Sequence, residues 1–350
     1  RGLGDVYKRQ GDVVIGGAGA KPEYTMWQWF SMSLKGGIGT GILFWAMGEP
    51  IFHMAAPPAA AGAQPFTREA GLFAISQTML HWTIAQYAMY SLCAVGVALM
   101  AYNRRRTISV SSIFEPYLSS SVYGVVKTVV PMVSLFCIVG ALACSMAVGL
   151  MQINSGLNFF FGLPIDGVTV FAIAAIMVTV YVVSCLTGIK KGMRVLSSFC
   201  TIVFIGLMVY VLCLGPTRFI VDAGTESLGV FFNRFFEHSV ILPTMAENET
   251  WSKSWIIMFM ASFFVYAPII GLFLARLGKG RTVREFIFMN IGAPTLFCIV
   301  WIAIWGGTTV WLQYTGIMDV WQSVNEKGLE VTLFTILSTL PFAKILAAFF

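Results

Sequence analysis

Charge is what this sequence of 350 residues has least of: Asp, Glu, Lys and Arg together make up 11% of it, against roughly 25% in a soluble domain. Hydrophobic residues fill 57% and mean hydropathy is +0.80, more apolar surface than a soluble core absorbs. Histidine is also scarce. His53, His81 and His238 are scattered, with no nucleophile and base, metal cluster or paired carboxylates beside them, and an enzyme is not expected. The seven cysteines show no CxxC pairing or metal spacing and read as small buried hydrophobes. No Asp or Glu falls within the core of an apolar run, which speaks against a carboxylate proton relay. The +6 balance sits in connecting loops, so no nucleic-acid partner is expected.

Long apolar runs are what the sequence does have. Eight are long enough, at ~20 residues, to be membrane spans: 29–52, 71–102, 124–150, 167–186, 195–215, 254–275, 286–312 and 331 to the end. The expected fold class is an all-α, multi-pass protein of the cell (inner) membrane. The run 71–102 exceeds what a bilayer requires and should tilt or protrude. Arg104, Arg105, Arg106, Lys127, Lys190, Lys191, Arg194, Arg276, Lys279, Arg281 and Arg284 flank the even-numbered loops. Those loops are then cytoplasmic, and span one enters from the cytoplasm. Residues 1–28 read as a cytoplasmic lead-in, of which 1–10 shares nothing with the hydropathy that follows and reads as foreign. The last run stops in mid-pattern at Phe350, as in a truncated chain.

Span one carries four glycines within Gly36–Gly41, each costing a helix up to ~1 kcal/mol relative to alanine. The stretch is expected to unwind, and unwound backbone at membrane depth survives where it lines a cavity. Span six has a milder break at Pro268 and Gly271. Close helix packing explains such glycines equally well. If span six begins a second copy of span one, an odd number of helices inverts the repeat, a transporter architecture. The expected organisation is a first five-helix repeat over 29–215, an extracytoplasmic segment over 216–253 and a second repeat over 254–350.

Several stretches are similar to the betaine/carnitine/choline transporter family: Lys21-Pro22-Glu23, GGIGTGILFWAMGEP at 36–50, HWTIAQYAMY at 81–90, GIKKGMR at 188–194 and GLFLARLGKGRTVREF at 271–286. The resemblance implies a twelve-helix transporter with the inverted five-helix repeat of the neurotransmitter sodium symporters, of which eight spans are covered here. It also implies a homotrimer, and an interfacial helix before span six, which Phe231-Phe232-Asn233-Arg234-Phe235-Phe236 fits.

Family solutes are mostly quaternary ammonium or sulfonium compounds such as betaine, choline and carnitine, whose diffuse charge suits aromatic faces. Trp82, Tyr87 and Tyr90 fall within a ~140° arc of one helix, and the resemblance places Trp82, Tyr90, Phe263 and Tyr266 at box positions. Ser262 adds a hydroxyl. Gly37, Ile38, Gly39 and Gly41 supply backbone. The chain has Gln86-Tyr87 where the family pattern has Pro-Trp, and Phe263 where Trp is usual. Gln86 could therefore bond a polar group that trimethylammonium lacks, so a less methylated or amino-acid-like solute is the alternative, with an ion channel a further rival.

No cofactor is expected. A sodium ion at the Ile38 carbonyl is what the resemblance implies. The second sodium position on span three falls on Ile138 and Leu142 and reads as lost, with Ser145 nearby. His81 reads as a satisfied structural histidine. Lys35 either snorkels to the cytoplasmic surface or holds its ammonium in a cation's place beside the glycines.

Overall fold

A computed structural model describes residues 10–38, 41–186, 189–242 and 250–342. All regular structure among them is helical apart from one isolated bridge between Val14 and Thr282. Span one is two helices, α1 (Met26–Ile38) and α2 (Gly41–Ala55). Gly36 and Gly37 are thus helical, contrary to the expected unwinding, while Gly39 and Thr40 lie outside the described residues. The single run 71–102 is in fact α3 (Arg68–Trp82) and α4 (Ile84–Ala98), parted at Thr83, whose φ of −124° and ψ of −117° leave the helical region.

Next come α5 (Ser120–Phe161), α6 (Gly167–Leu186), α7 (Ile189–Leu214), α8 (Thr217–Asn233) and α9 (Phe235–Ser239). After a π turn at Lys253–Ile257, α10 (Met258–Leu277) runs unbroken through Pro268 and Gly271, so the break expected in span six is absent. Gly271 serves packing instead: a Cβ there would lie 2.6 Å from Cys93 Sγ on α4. The remaining helices are α11 (Val283–Ile287), α12 (Ala293–Tyr314), α13 (Val320–Lys327) and α14 (Thr332–Ser338).

Among the described residues, five helical stretches are long and apolar enough to cross a membrane: Arg68–Asn103, Ser120–Phe161, Arg194–Leu214, Lys253–Leu277 and Val283–Tyr314. Apolar side chains on α5 and α6 face outward, Phe136 at 82% and Leu186 at 81% exposure. Water would penalise such surfaces and lipid would not. The chain is a multi-pass membrane protein. In the segment before span six, Phe231 is buried while Phe232 and Phe236 are exposed.

Two compact units share the chain. The described residues within Arg1–Ile38, Thr83–Ala143 and Ile257–Leu296 form the first, and those within Gly39–Trp82, Cys144–Ile256 and Phe297–Phe350 the second. In the first, Arg281 stands 5.4 Å over the Trp29 ring, and Ser33 Oγ donates to Asn290 Oδ1 at 2.6 Å. α11 opens on a capping box: the Thr282 hydroxyl accepts from the Glu285 amide at 3.2 Å, and Glu285 Oε2 accepts from the Thr282 amide at 2.8 Å. Thr282→Ala removes the hydroxyl that accepts from the Glu285 amide and is expected to lower stability by about 1 kcal/mol, read from thermal unfolding in detergent. In the second unit, α2 packs on α3 and α3 on α8.

Candidate functional site

Aromatic rings occupy the space that side chains on span one would fill. In the first unit, a Cβ on Gly36 would lie 2.8 Å from Phe273 of α10, and one on Gly37 would overlap the Tyr87 ring of α4. The glycines therefore bring helix backbone against ring faces. Gln86, on the same turn as Tyr87, donates from Nε2 to the Gly37 carbonyl at 2.5 Å, with Tyr90 Oη at 3.4 Å. Its Oε1 is buried and has no hydrogen-bond partner. Tyr90 meets Phe263 edge to face at 6.3 Å, and Phe259 stacks on Phe263 at 5.9 Å. Tyr90 is 2% and Phe263 3% exposed.

Of the residues expected from the sequence, Gly37, Gln86, Tyr87, Tyr90 and Phe263 thus come together. The hydroxyls of the other two are committed to backbone. Ser262 Oγ donates to the Met258 carbonyl of its own helix at 2.8 Å, and Tyr266 Oη donates to the Ala141 carbonyl of α5 at 2.6 Å. Ile38 ends α1, and Gly39 lies outside the described residues. Lys35 occupies the last turn of α1 with its Nζ buried, so it does not snorkel to a surface.

The second unit holds Trp82 and Gly41, and the same device recurs: a Cβ on Gly41 would lie 2.8 Å from Trp82 Cη2. The Trp82 indole N–H donates to Glu49 Oε2 at 2.7 Å. Glu49 Oε1 is 2.5 Å from His81 Nδ1 and 3.0 Å from His53 Nε2, and Gln77 Nε2 is 3.0 Å from His81 Nε2. Glu49, His53, His81 and Gln77 are all fully buried. Two sequence readings are corrected here. A carboxylate does lie inside the fold, and His53 and His81 are joined through it. The sequence signal was available in two i, i+4 pairs, Glu49/His53 on α2 and Gln77/His81 on α3, each on one helix face.

The Gln77 amide nitrogen can only donate, so His81 Nε2 accepts and its Nδ1 carries the hydrogen directed at Glu49. The carboxylate thereby accepts from an indole and two imidazoles. The ring nitrogens and the carboxylate oxygen lie within 4.8 Å of one another. Two ligands of one tetrahedral ion at ~2.0 Å bond lengths would stand about 3.3 Å apart. Separations of 2.5 and 3.0 Å are those of hydrogen bonds. His238 on α9 is also buried. Burial pushes its pKa down, Arg234 adds to this and Glu237 opposes it.

The family model for betaine/carnitine/choline family transporters matches residues 3–350. A probable glycine betaine transporter of Desulfitobacterium hafniense is 28% identical over 343 residues, 98% of this chain and 68% of the relative. A glycine betaine/proline/choline transporter of Vibrio parahaemolyticus is 28% identical over 349 residues, 96% of this chain and 62% of the relative. An ectoine/hydroxyectoine transporter of Virgibacillus pantothenticus is 28% identical over 338 residues, 96% and 66%. The chain spans about two thirds of the length of these curated relatives.

Proposed function

The chain belongs to the betaine/carnitine/choline transporter family, and on that premise we propose that it handles the solute in a secondary transporter of small zwitterionic or cationic osmolytes, quaternary ammonium compounds among them. The grouping of Tyr87, Tyr90, Phe263 and Gln86 around the Gly37 backbone carries this reading. A delocalised cation gains up to ~2 kcal/mol from each dry aromatic face. Tyr90 and Phe263 offer two faces, and a solute would part their edge-to-face contact. Trp82, in the second unit, remains a candidate through its motif position.

Gln86 favours a second reading within the same class. Its amide hydrogens are directed at Gly37 and Tyr90, and its buried Oε1 is an acceptor without a donor. A trimethylammonium group has no hydrogen to give it. A solute bearing N–H does, as proline and ectoine, named for two relatives, both do. The proposal includes the inverted-repeat fold, the homotrimer and a Lys35 ammonium standing in a sodium ion's place beside the glycines.

Uptake of labelled betaine, choline, carnitine, proline and ectoine by cells expressing the full transporter tests both readings. Tyr90→Leu is expected to raise KM about tenfold, the loss of roughly 1.4 kcal/mol of ring attraction. Gln86→Leu should weaken uptake of N–H solutes and spare betaine. Equal loss for every solute would make Gln86 purely structural, and betaine best by a wide margin would remove the N–H reading. Ion conductance without saturable uptake would replace the transporter with a channel.

A further inference from the structure

We propose that Glu49, His53, His81 and Gln77 form a binding site for a single proton, held against Trp82. The charge count comes first. With both imidazoles neutral the cluster carries one negative charge, fully buried, and among the described residues no ion pair joins Glu49 or His53 to a Lys or Arg. A lone buried charge is costly, and a carboxylate with one imidazolium is a neutral pair. One added proton therefore neutralises the cluster, and a second would leave it positive.

Unused capacity is the second observation. His53 Nδ1 and Gln77 Oε1 are buried without hydrogen-bond partners. A proton taken by His53 Nδ1 turns the His53–Glu49 bond at Oε1 into an ion pair. A proton taken by His81 Nε2 is met by Gln77 once its amide turns over and presents Oε1. One proton enters in either case, and no bond to Glu49 is lost.

The surroundings of His53 are the third. Its ring lies 4.5 Å from Trp255, 5.2 Å from Trp251 and 6.0 Å from Phe73. Three aromatic rings thus pack against the His53 imidazole. Trp251 and Trp255, with Pro57, Pro58, Thr250 and Ser254, also line an open cavity.

The other titratable groups on neighbouring elements lie apart. Arg68 and Glu226, on α3 and α8, pair with each other at an exposed position. Arg218 and Asp222 pair likewise on α8. Glu69 on α3 and Lys253 beside Trp251 are exposed, as are Glu326 and Lys327 on α13, and Glu330 ahead of α14 is partly so. His238 faces Phe73 at 5.2 Å, on a ring that also packs against His53.

Trp82 ties proton occupancy to the solute, a step that rests on the transporter reading. The same carboxylate that would share the proton fixes the indole N–H, so solute and proton would bias one side chain. The full transporter, purified in detergent, is titrated by tryptophan fluorescence from about pH 5 to 9 without solute, with Trp82, Trp251 and Trp255 as reporters. A one-proton transition is expected. It should vanish in Glu49→Gln and vanish or move by about one pH unit or more in His53→Gln, and it should persist in His238→Gln. His53→Gln keeps an amide donor toward Glu49, so it is the variant to rely on if Glu49→Gln does not fold. A transition with unchanged midpoint in both folded variants overturns the proposal. So does one tightly held metal ion per chain that Glu49→Gln releases. In proteoliposomes, an inside-alkaline gradient should accelerate betaine uptake by the wild type and not by His53→Gln. Titration without transport of any solute would refute the transporter reading and leave the proton site standing. Transport without the titration would refute the proton site alone.

Discussion

Gly37→Ala is expected to reduce uptake at least tenfold. The added methyl would overlap the Tyr87 ring, with Cζ only 3.1 Å away, and that ring is 1% exposed. Overpacking of this kind costs about 1–3 kcal/mol. The gain in helix propensity from alanine, up to ~1 kcal/mol, offsets only part of it. Relief would come from moving α1 away from α4, which stretches the 2.5 Å bond from Gln86 to the Gly37 carbonyl. Tyr87→Leu in the Gly37→Ala background should restore stability, read as Tm in detergent, and part of the uptake. A Gly37→Ala protein with wild-type Tm and uptake would show that the ring and the backbone are not pressed together in the working transporter.

Glu49→Ala is expected to be the most destabilising single change in the second unit. It removes the acceptor of three buried donors, on Trp82, His81 and His53, and opens a void between α2 and α3. Breaking a buried charged network by deleting one partner costs about 3–5 kcal/mol. At roughly 2 °C per kcal/mol for a chain of this size, Tm should fall by about 6–10 °C, with lower yield from the membrane. Glu49→Gln keeps one carbonyl oxygen for the indole and should lose less. If Glu49→Ala and Glu49→Gln melt at the wild-type temperature, the carboxylate is not holding these helices together.

Hydropathy made the helices legible because it sums over a window. The runs at 167–186 and 195–215 correspond to α6 and the apolar part of α7 within a few residues. The same summation hid Glu49. One carboxylate at the end of an apolar run barely lowers the average, and nothing in the average says that two histidines, 4 and 32 positions away, will meet it. Local propensity misjudged the breaks in the opposite sense. Pro268 and Gly271 look like a kink, yet α10 runs through both because Gly271 lets α4 come close. Thr83 looks unremarkable in His81-Trp82-Thr83-Ile84, yet the helix parts there. The aromatic candidates were found by spacing and motif; Tyr87 meets Gly37, Tyr90 meets Gln86, and Phe263 of α10 packs on Tyr90. Ser262 and Tyr266 share that helix, but their hydroxyls bond backbone carbonyls, which spacing does not reveal.

The sequence by itself determined that this chain crosses a membrane and that it is helical, and it put forward glycines and aromatic residues as candidate working parts. Composition and periodicity are properties of single segments, and the bilayer reads segments one at a time. Tertiary structure alone decided which ring lies on which glycine, that Gln86 keeps an unused acceptor, and that Glu49 binds His53, His81 and Trp82. Those are pairings between segments far apart along the chain, Gln86 with Gly37 at 49 positions and Glu49 with Trp82 at 33, fixed by distances of a few ångströms that exist only once the helices have packed.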